Sequence, residues 1–162
     1  MKQNFYLLCL LTLLCFNGCQ HTLQKRPLSI DTLAFQYRTE DSFKGIIESF
    51  TRKEFTSGRL FLRTNPDVRD GIYFAVSFNC PCNRIPVGSV IKIAYITNLD
   101  PKEQVAEWTI PAIKHSLIFQ NELYLGVTGD KAYSSQTKLI AWKVDVVHPD
   151  GRIIATKHSF AW

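Results

Sequence analysis

From Gly58 onward, apolar side chains recur at every second position, and that period excludes a helical core for most of the chain. In 72–79, Ile72, Phe74, Val76 and Phe78 alternate with Tyr73, Ala75, Ser77 and Asn79. Successive Cβ atoms of a strand point to opposite faces, so the four large apolar residues share one face of a half-buried strand. Val90–Thr97 sets Ile91, Ile93 and Tyr95 against Lys92 and Ala94. Segment 105–110 groups Ala106, Trp108 and Ile110 before Pro111, and 123–127 groups Leu123, Leu125 and Val127 before Gly129-Asp130. Leu139–Val147 and 152–161 flank His148-Pro149-Asp150-Gly151, where Pro and Gly fall as a type I turn requires, so a hairpin is predicted there. Asn65-Pro66-Asp67 and Asp70-Gly71 predict a second hairpin, with a longer loop, between 59–64 and 72–79.

About seven closely spaced strands with no sustained helical period after Phe55 predict a mainly β chain. The expected architecture is a two-sheet antiparallel β-sandwich of immunoglobulin-like or related topology, with Trp108 and Trp142 as core anchors. No Cys…Trp…Cys pattern is present, so an antibody-type domain is not implied. Segment 41–55 stays open. Phe43, Ile46, Ile47 and Phe50 fit a short amphipathic helix capped by Asp41 or Ser42, whereas Gly45 and the paired isoleucines fit an opening strand. With 46% hydrophobic and 20% charged residues the chain has globular composition, and 8 Gly and 7 Pro exclude a collagen-like or low-complexity chain.

The N-terminus reads as an address. Lys2 precedes an apolar run from Phe5 to Phe16, about a dozen residues against the roughly 20 that span a bilayer, and Asn17-Gly18-Cys19 follow. Gly18-Cys19 at the end of such a run resembles the lipobox of bacterial lipoproteins, with Phe16 standing where that family favours Leu. The resemblance covers the first 19 residues or so. It implies removal of residues 1–18 as a signal peptide and lipid on Cys19, hence membrane attachment. Gln20 after the cysteine implies, by the same resemblance, the outer membrane of a Gram-negative envelope, facing the periplasm. Residues 19–36, polar at first and interrupted by Pro27, are expected as a tether, with Lys25-Arg26 placed to touch head groups. The sandwich domain is then expected over 37–162.

Lys and Arg number 19 against 14 Asp and Glu, a net +5 that favours anionic surfaces but is too scattered for a nucleic-acid footprint. Of the five cysteines, Cys9 and Cys15 leave with the signal, and lipid on Cys19 would leave Cys80 and Cys82 as an even pair. Asn79-Cys80-Pro81-Cys82-Asn83-Arg84 could close as a small disulfide, bind Cu(I) or zinc, or act as a redox pair with Arg84 favouring the thiolate. The disulfide is the leading reading. His115, His148 and His158 form no close-spaced ligand pair, and the chain has no nucleophile elbow, zinc-protease motif or phosphate loop. No catalytic role and no cofactor are expected.

Two features suit a partner. The strand face of Arg59, Phe61 and Arg63 could meet an anionic surface, and loop 128–138 carries Tyr133 among Ser, Gly and Lys, a binding-loop mixture. The expected function is a lipid-anchored envelope module, non-catalytic, that binds or assembles with a protein partner. By size and layout it is similar to small sandwich lipoproteins that dock into envelope machines. The competing expectation is a periplasmic metal-handling protein using Cys80 and Cys82.

Overall fold

The structure, a computed structural model, describes residues 27–44, 46–52, 54, 56, 58–112, 120–130 and 133–162. The expected signal segment 1–18, the lipid site Cys19, Lys25-Arg26 and His115 lie outside the described residues. The described chain is mainly β. It runs β1 (Ile30–Arg38), α1 (Ile46–Thr51), β2 (Leu60–Arg63), β3 (Gly71–Phe78), β4 (Val90–Thr97), β5 (Gln104–Thr109), β6 (Glu122–Thr128), β7 (Leu139–Val147) and β8 (Ile153–His158). Short 3₁₀ turns occupy Glu40–Ser42 and Cys82–Arg84. Two four-stranded sheets form, ordered β1-β3-β6-β2 and β5-β4-β7-β8.

The period-two faces meet between the sheets. Ile72, Phe74, Val76 and Phe78 of β3 and Leu123 and Leu125 of β6 are fully buried against Ile91 and Ile93 of β4 and Val144 and Val146 of β7. The rings of Phe74 and Tyr95 join the layers with centroids 5.2 Å apart. Beneath β5, Trp108 is 4% exposed and donates from Nε1 to the Gly126 carbonyl of the other sheet at 3.3 Å. Trp142 packs half-buried against the core. The terminal hairpin forms as expected. Gly151 N–H closes the turn on His148 O at 2.8 Å, and Gly151 at φ +90° takes the left-handed position that the following bulge needs.

Four expectations are corrected. Eight strands form among the described residues, because β1 begins at Ile30 inside the segment expected as a tether. Leu33, Phe35 and Tyr37 alternate toward the core there, so the domain reaches back past the expected boundary at 37. The hairpin expected between 59–64 and 72–79 does not form: β2 pairs in parallel with β6, which lies between β2 and β3, so the sheet is not wholly antiparallel. The Asn65 turn is present, with Asp67 N–H on Asn65 Oδ1 at 3.1 Å, but its loop straddles the end of β6. Thr128 Oγ1 donates to Asn65 O at 2.9 Å and Thr64 Oγ1 accepts from Thr128 N–H at 2.9 Å, so the loop wraps β6. Within segment 41–55, left open between helix and strand, Ile46–Thr51 is a short helix, and Phe50, expected on its apolar face, is instead 84% exposed. Finally, β3 is not half-buried. Tyr73 and Ala75 on its outer face are 0% and 7% exposed, with the Tyr73 ring packed by Phe43 and Phe61 and its hydroxyl held by Arg63.

Candidate functional site

The two flanks of the sandwich differ. On one, edge strands β1 and β8 are drawn together, and Lys157 Nζ donates to the Asp31 carbonyl. On the other, edge strands β2 and β5 stay apart and leave a groove of about 340 Å³. Phe61, Arg63 and Thr64 line one wall, Glu107 and Thr109 the other, and Trp108 also borders it. Along β5 the burial alternates, with Val105, Glu107 and Thr109 exposed and Ala106 and Trp108 buried. Among the described residues the only neighbour of β5 in its sheet is β4, so within them the backbone on its groove side is an open edge.

The outer faces differ as well. That of the β4 sheet is solvated, with Lys92 and Glu107 paired across strands at 2.8 Å. That of the β1 sheet carries a mosaic of rings and guanidinium groups. Phe61 stacks on Tyr124 at 4.7 Å, and Phe43 packs at 5.4 Å from Phe61 and 5.2 Å from Tyr73. The Tyr73 ring lies over Gly126, where a Cβ would come within 2.6 Å of it, so the sequence leaves the space that the ring fills. Arg38 stands 5.3 Å from the Phe43 centroid and 5.7 Å from that of Tyr124, Arg59 stands 5.4 Å from Tyr124, and Arg63 lies over Phe43 and Phe61. Such contacts contribute about 0.5–1 kcal/mol each at exposed sites and more where water is excluded.

The expected partner face divides at this point. Arg63 is engaged internally: its side chain is 8% exposed, it donates to Glu54 and, through Nε, to Tyr73 Oη at 2.9 Å. Arg59 remains exposed. Tyr133 is not presented to a partner. It is 6% exposed, and its hydroxyl meets Tyr95 Oη at 3.0 Å and Gln104 Oε1, so the ring closes the core under its loop. Burial raises the Tyr133 phenol above its ordinary value. Of the residues that complete the mosaic, Phe43 and Tyr73 are read from the sequence only as helix and strand positions, and Arg38 and Tyr124 are not named there; the signal for Arg38 is the alternation of β1.

The disulfide expected at Cys80 and Cys82 is not formed, and both are free thiols. Pro81 between them is extended, at φ −57° and ψ 142°. Cys82 turns into the core at 1% exposure, with its N–H on Gln120 O at 2.7 Å. Burial pushes its thiol up to about 12, and burial also raises Cys80, outweighing the opposite pull of Arg84. The Arg84-favoured thiolate is therefore corrected as well. Among the described residues no three His, Cys, Asp or Glu side chains converge on a metal position.

At pH 8 a thiol titrating near 12 is ~10⁻⁴ ionised, and the thiolate is the reacting form. Cys82 in the native protein is therefore expected to resist iodoacetamide at pH 8 and to react fully only after unfolding in guanidinium. Rapid native labelling of Cys82, or an intact mass two hydrogens short without reductant, would overturn this placement. No protein-family model, curated protein or solved structure matches the chain.

Proposed function

We propose that the chain is an envelope lipoprotein, held by lipid on Cys19 in the outer membrane and facing the periplasm, whose sandwich is a non-catalytic docking module for a protein partner. The observation that carries the docking reading is the open flank between β2 and β5. An extended partner segment adds to the free edge of β5, where main-chain hydrogen bonds supply affinity and alternate side chains reach the groove beside Trp108. The opposite flank offers less, since β1 and β8 are already tied through Lys157. Among the described residues no helix is long and apolar enough to cross a membrane, so in this reading attachment rests on the lipid.

An immunoglobulin-like topology belongs to the same proposal. With β1, β3 and β6 taken as strands A, B and E, and β4, β5, β7 and β8 as C, C′, F and G, the two sheet orders agree with that fold. The exception is β2, which occupies the position of strand D although it precedes β3.

A photo-reactive amino acid at Val105, in cells expressing the full chain, is expected to give one discrete protein adduct. The same probe at Ile153 on the β8 edge is expected to give none. Equal adducts from both edges, or none from Val105, would remove the edge reading. Separately, Cys19→Ser is expected to move the protein from the membrane to the soluble fraction without changing its unfolding midpoint, and unchanged fractionation would sink the anchor.

A further inference from the structure

We propose that Arg38 and Arg59, set about the Tyr124 ring, form a receptor for a carboxylate-rich segment of a protein partner, on a face separate from the β5 edge. The two guanidinium groups lie within 5.7 Å of one ring centroid, yet among the described residues neither is within salt-bridge reach of a carboxylate. The other two arginines of this region are neutralised locally, Arg63 by Glu54 and Arg69 by Glu48. The nearest acid at the ring is Glu122, and its oxygens are taken by hydroxyls: Tyr124 donates to Oε2 at 2.5 Å and Ser77 to Oε1 at 3.4 Å. One positive charge more than the local acids can balance therefore stays at the ring.

The donors are also unspent. With the Gln36 amide oriented so that its oxygen faces Arg38, it accepts from Nε at 2.7 Å and Nη2 at 2.9 Å. That bidentate hold fixes the guanidinium and leaves its remaining N–H groups free. The five N–H donors of Arg59 make no hydrogen bond within the described chain, and the ring is its contact. Two like charges at one ring repel each other, and a bound anion relieves that repulsion while accepting planar, bidentate hydrogen bonds from each fork. The partner proposed is a peptide segment: Arg38 is half-buried beside Phe43 while Arg59 is exposed, so a flexible chain carrying carboxylates can reach both forks, and a bilayer surface is the competing occupant that the vesicle arm of the test decides.

The test titrates hexaglutamate into the protein purified from membranes of cells expressing the full chain, at low ionic strength, by calorimetry. Hexaglutamine serves as the neutral counterpart and phosphatidylglycerol vesicles as the lipid arm. Hexaglutamate is expected to bind, to weaken as salt is raised, and to lose at least tenfold in affinity in Arg38→Gln/Arg59→Gln. Hexaglutamine is expected to give no heat. Arg59→Gln alone, at an exposed position, is expected to lose several-fold in affinity, with a melting temperature lowered by no more than the loss of one exposed cation–π contact. Absence of hexaglutamate binding, binding undiminished in both variants, or a preference for vesicles over peptide would overturn the proposal. Each of those results leaves the Val105 crosslink untouched, so failure here and failure of the edge reading are separable.

Discussion

Glu54→Ala is expected to destabilise the protein by about 2–3 kcal/mol, between the loss of an exposed ion pair and the roughly 3–5 kcal/mol of a fully buried one. The side chains of Arg63 and Glu54 are 8% and 26% exposed and meet in a two-pronged contact, with Arg63 Nη1 to Glu54 Oε2 at 3.0 Å. Without Glu54, the buried guanidinium would keep the Tyr73 hydroxyl as a neutral acceptor at 2.9 Å, beneath the rings of Phe43 and Phe61. Removing both charges is a different matter. Glu54→Leu/Arg63→Met leaves no orphan charge and is expected to fall within about 1 kcal/mol of the parent, since apolar replacements of buried pairs are often neutral. Urea denaturation of the three proteins at pH 7 decides this, and a double variant as unstable as the single one would show that packing governs the site. The same pair predicts an acid limb. Arg63 holds the Glu54 carboxyl below its ordinary value of 4.5, against the opposing effect of burial. A group whose folded value is depressed contributes its stability above the unfolded value and loses it as pH falls through the folded one. The parent should therefore weaken more steeply than Glu54→Gln below about pH 4.5.

The pairings that sequence made legible are those set by local chemistry. In β7 and β8 the Pro149-Asp150-Gly151 turn and two alternating flanks specify register within a few residues, and the hairpin forms where that chemistry places it. β4 was legible for a similar reason, since Ile91, Ile93 and Tyr95 show one apolar face in eight residues. β2 was misassigned because its partner is not local. Leu60 and Leu62 lie against Leu123 and Leu125, and nothing in residues 59–64 distinguishes a parallel partner sixty residues away from an antiparallel one beyond a turn. β1 was lost to its context: Pro27 and a polar lead suggested a tether, while Leu33, Phe35 and Tyr37 carried the period. The mosaic follows the same rule. Arg59, Phe61 and Arg63 were visible as one strand face, but their fates depend on Glu54 and on Tyr124 across the parallel register. Tyr133 shows the converse, since loop composition gave no sign of a hydroxyl partner 38 residues away in β4.

Gly71→Ala carries the other large expected effect, a loss of about 3 kcal/mol or more, at the upper end for overpacking because the atoms in the way cannot move alone. Gly71 opens β3 and sits between Arg38 of β1 and Thr128 of β6. A Cβ there would lie 2.2 Å from the Val127 carbonyl oxygen and 2.9 Å from the Thr128 Cα. Both are backbone atoms of the adjacent strand, so relief requires β3 and β6 to separate at the end where the loop from Thr64 to Asp70 wraps Thr128. That separation would strain the Thr64–Thr128 bonds and the Gly129 N–H bond to Asp70 O together. Gly58→Ala is the control. Gly58 has a left-handed φ of +76° with nothing within 4 Å of an added Cβ, so only backbone strain of about 1–2 kcal/mol is expected. If thermal melting ranked the two variants equally, the β3–β6 register at this end would be wrong. The position also bears on the proposed anion face, because Gly71 is the cross-strand partner of Arg38. A Gly71→Ala protein that still folds should hold Arg38 out of place over Tyr124 and bind hexaglutamate more weakly, whereas Gly58→Ala should bind as the parent does.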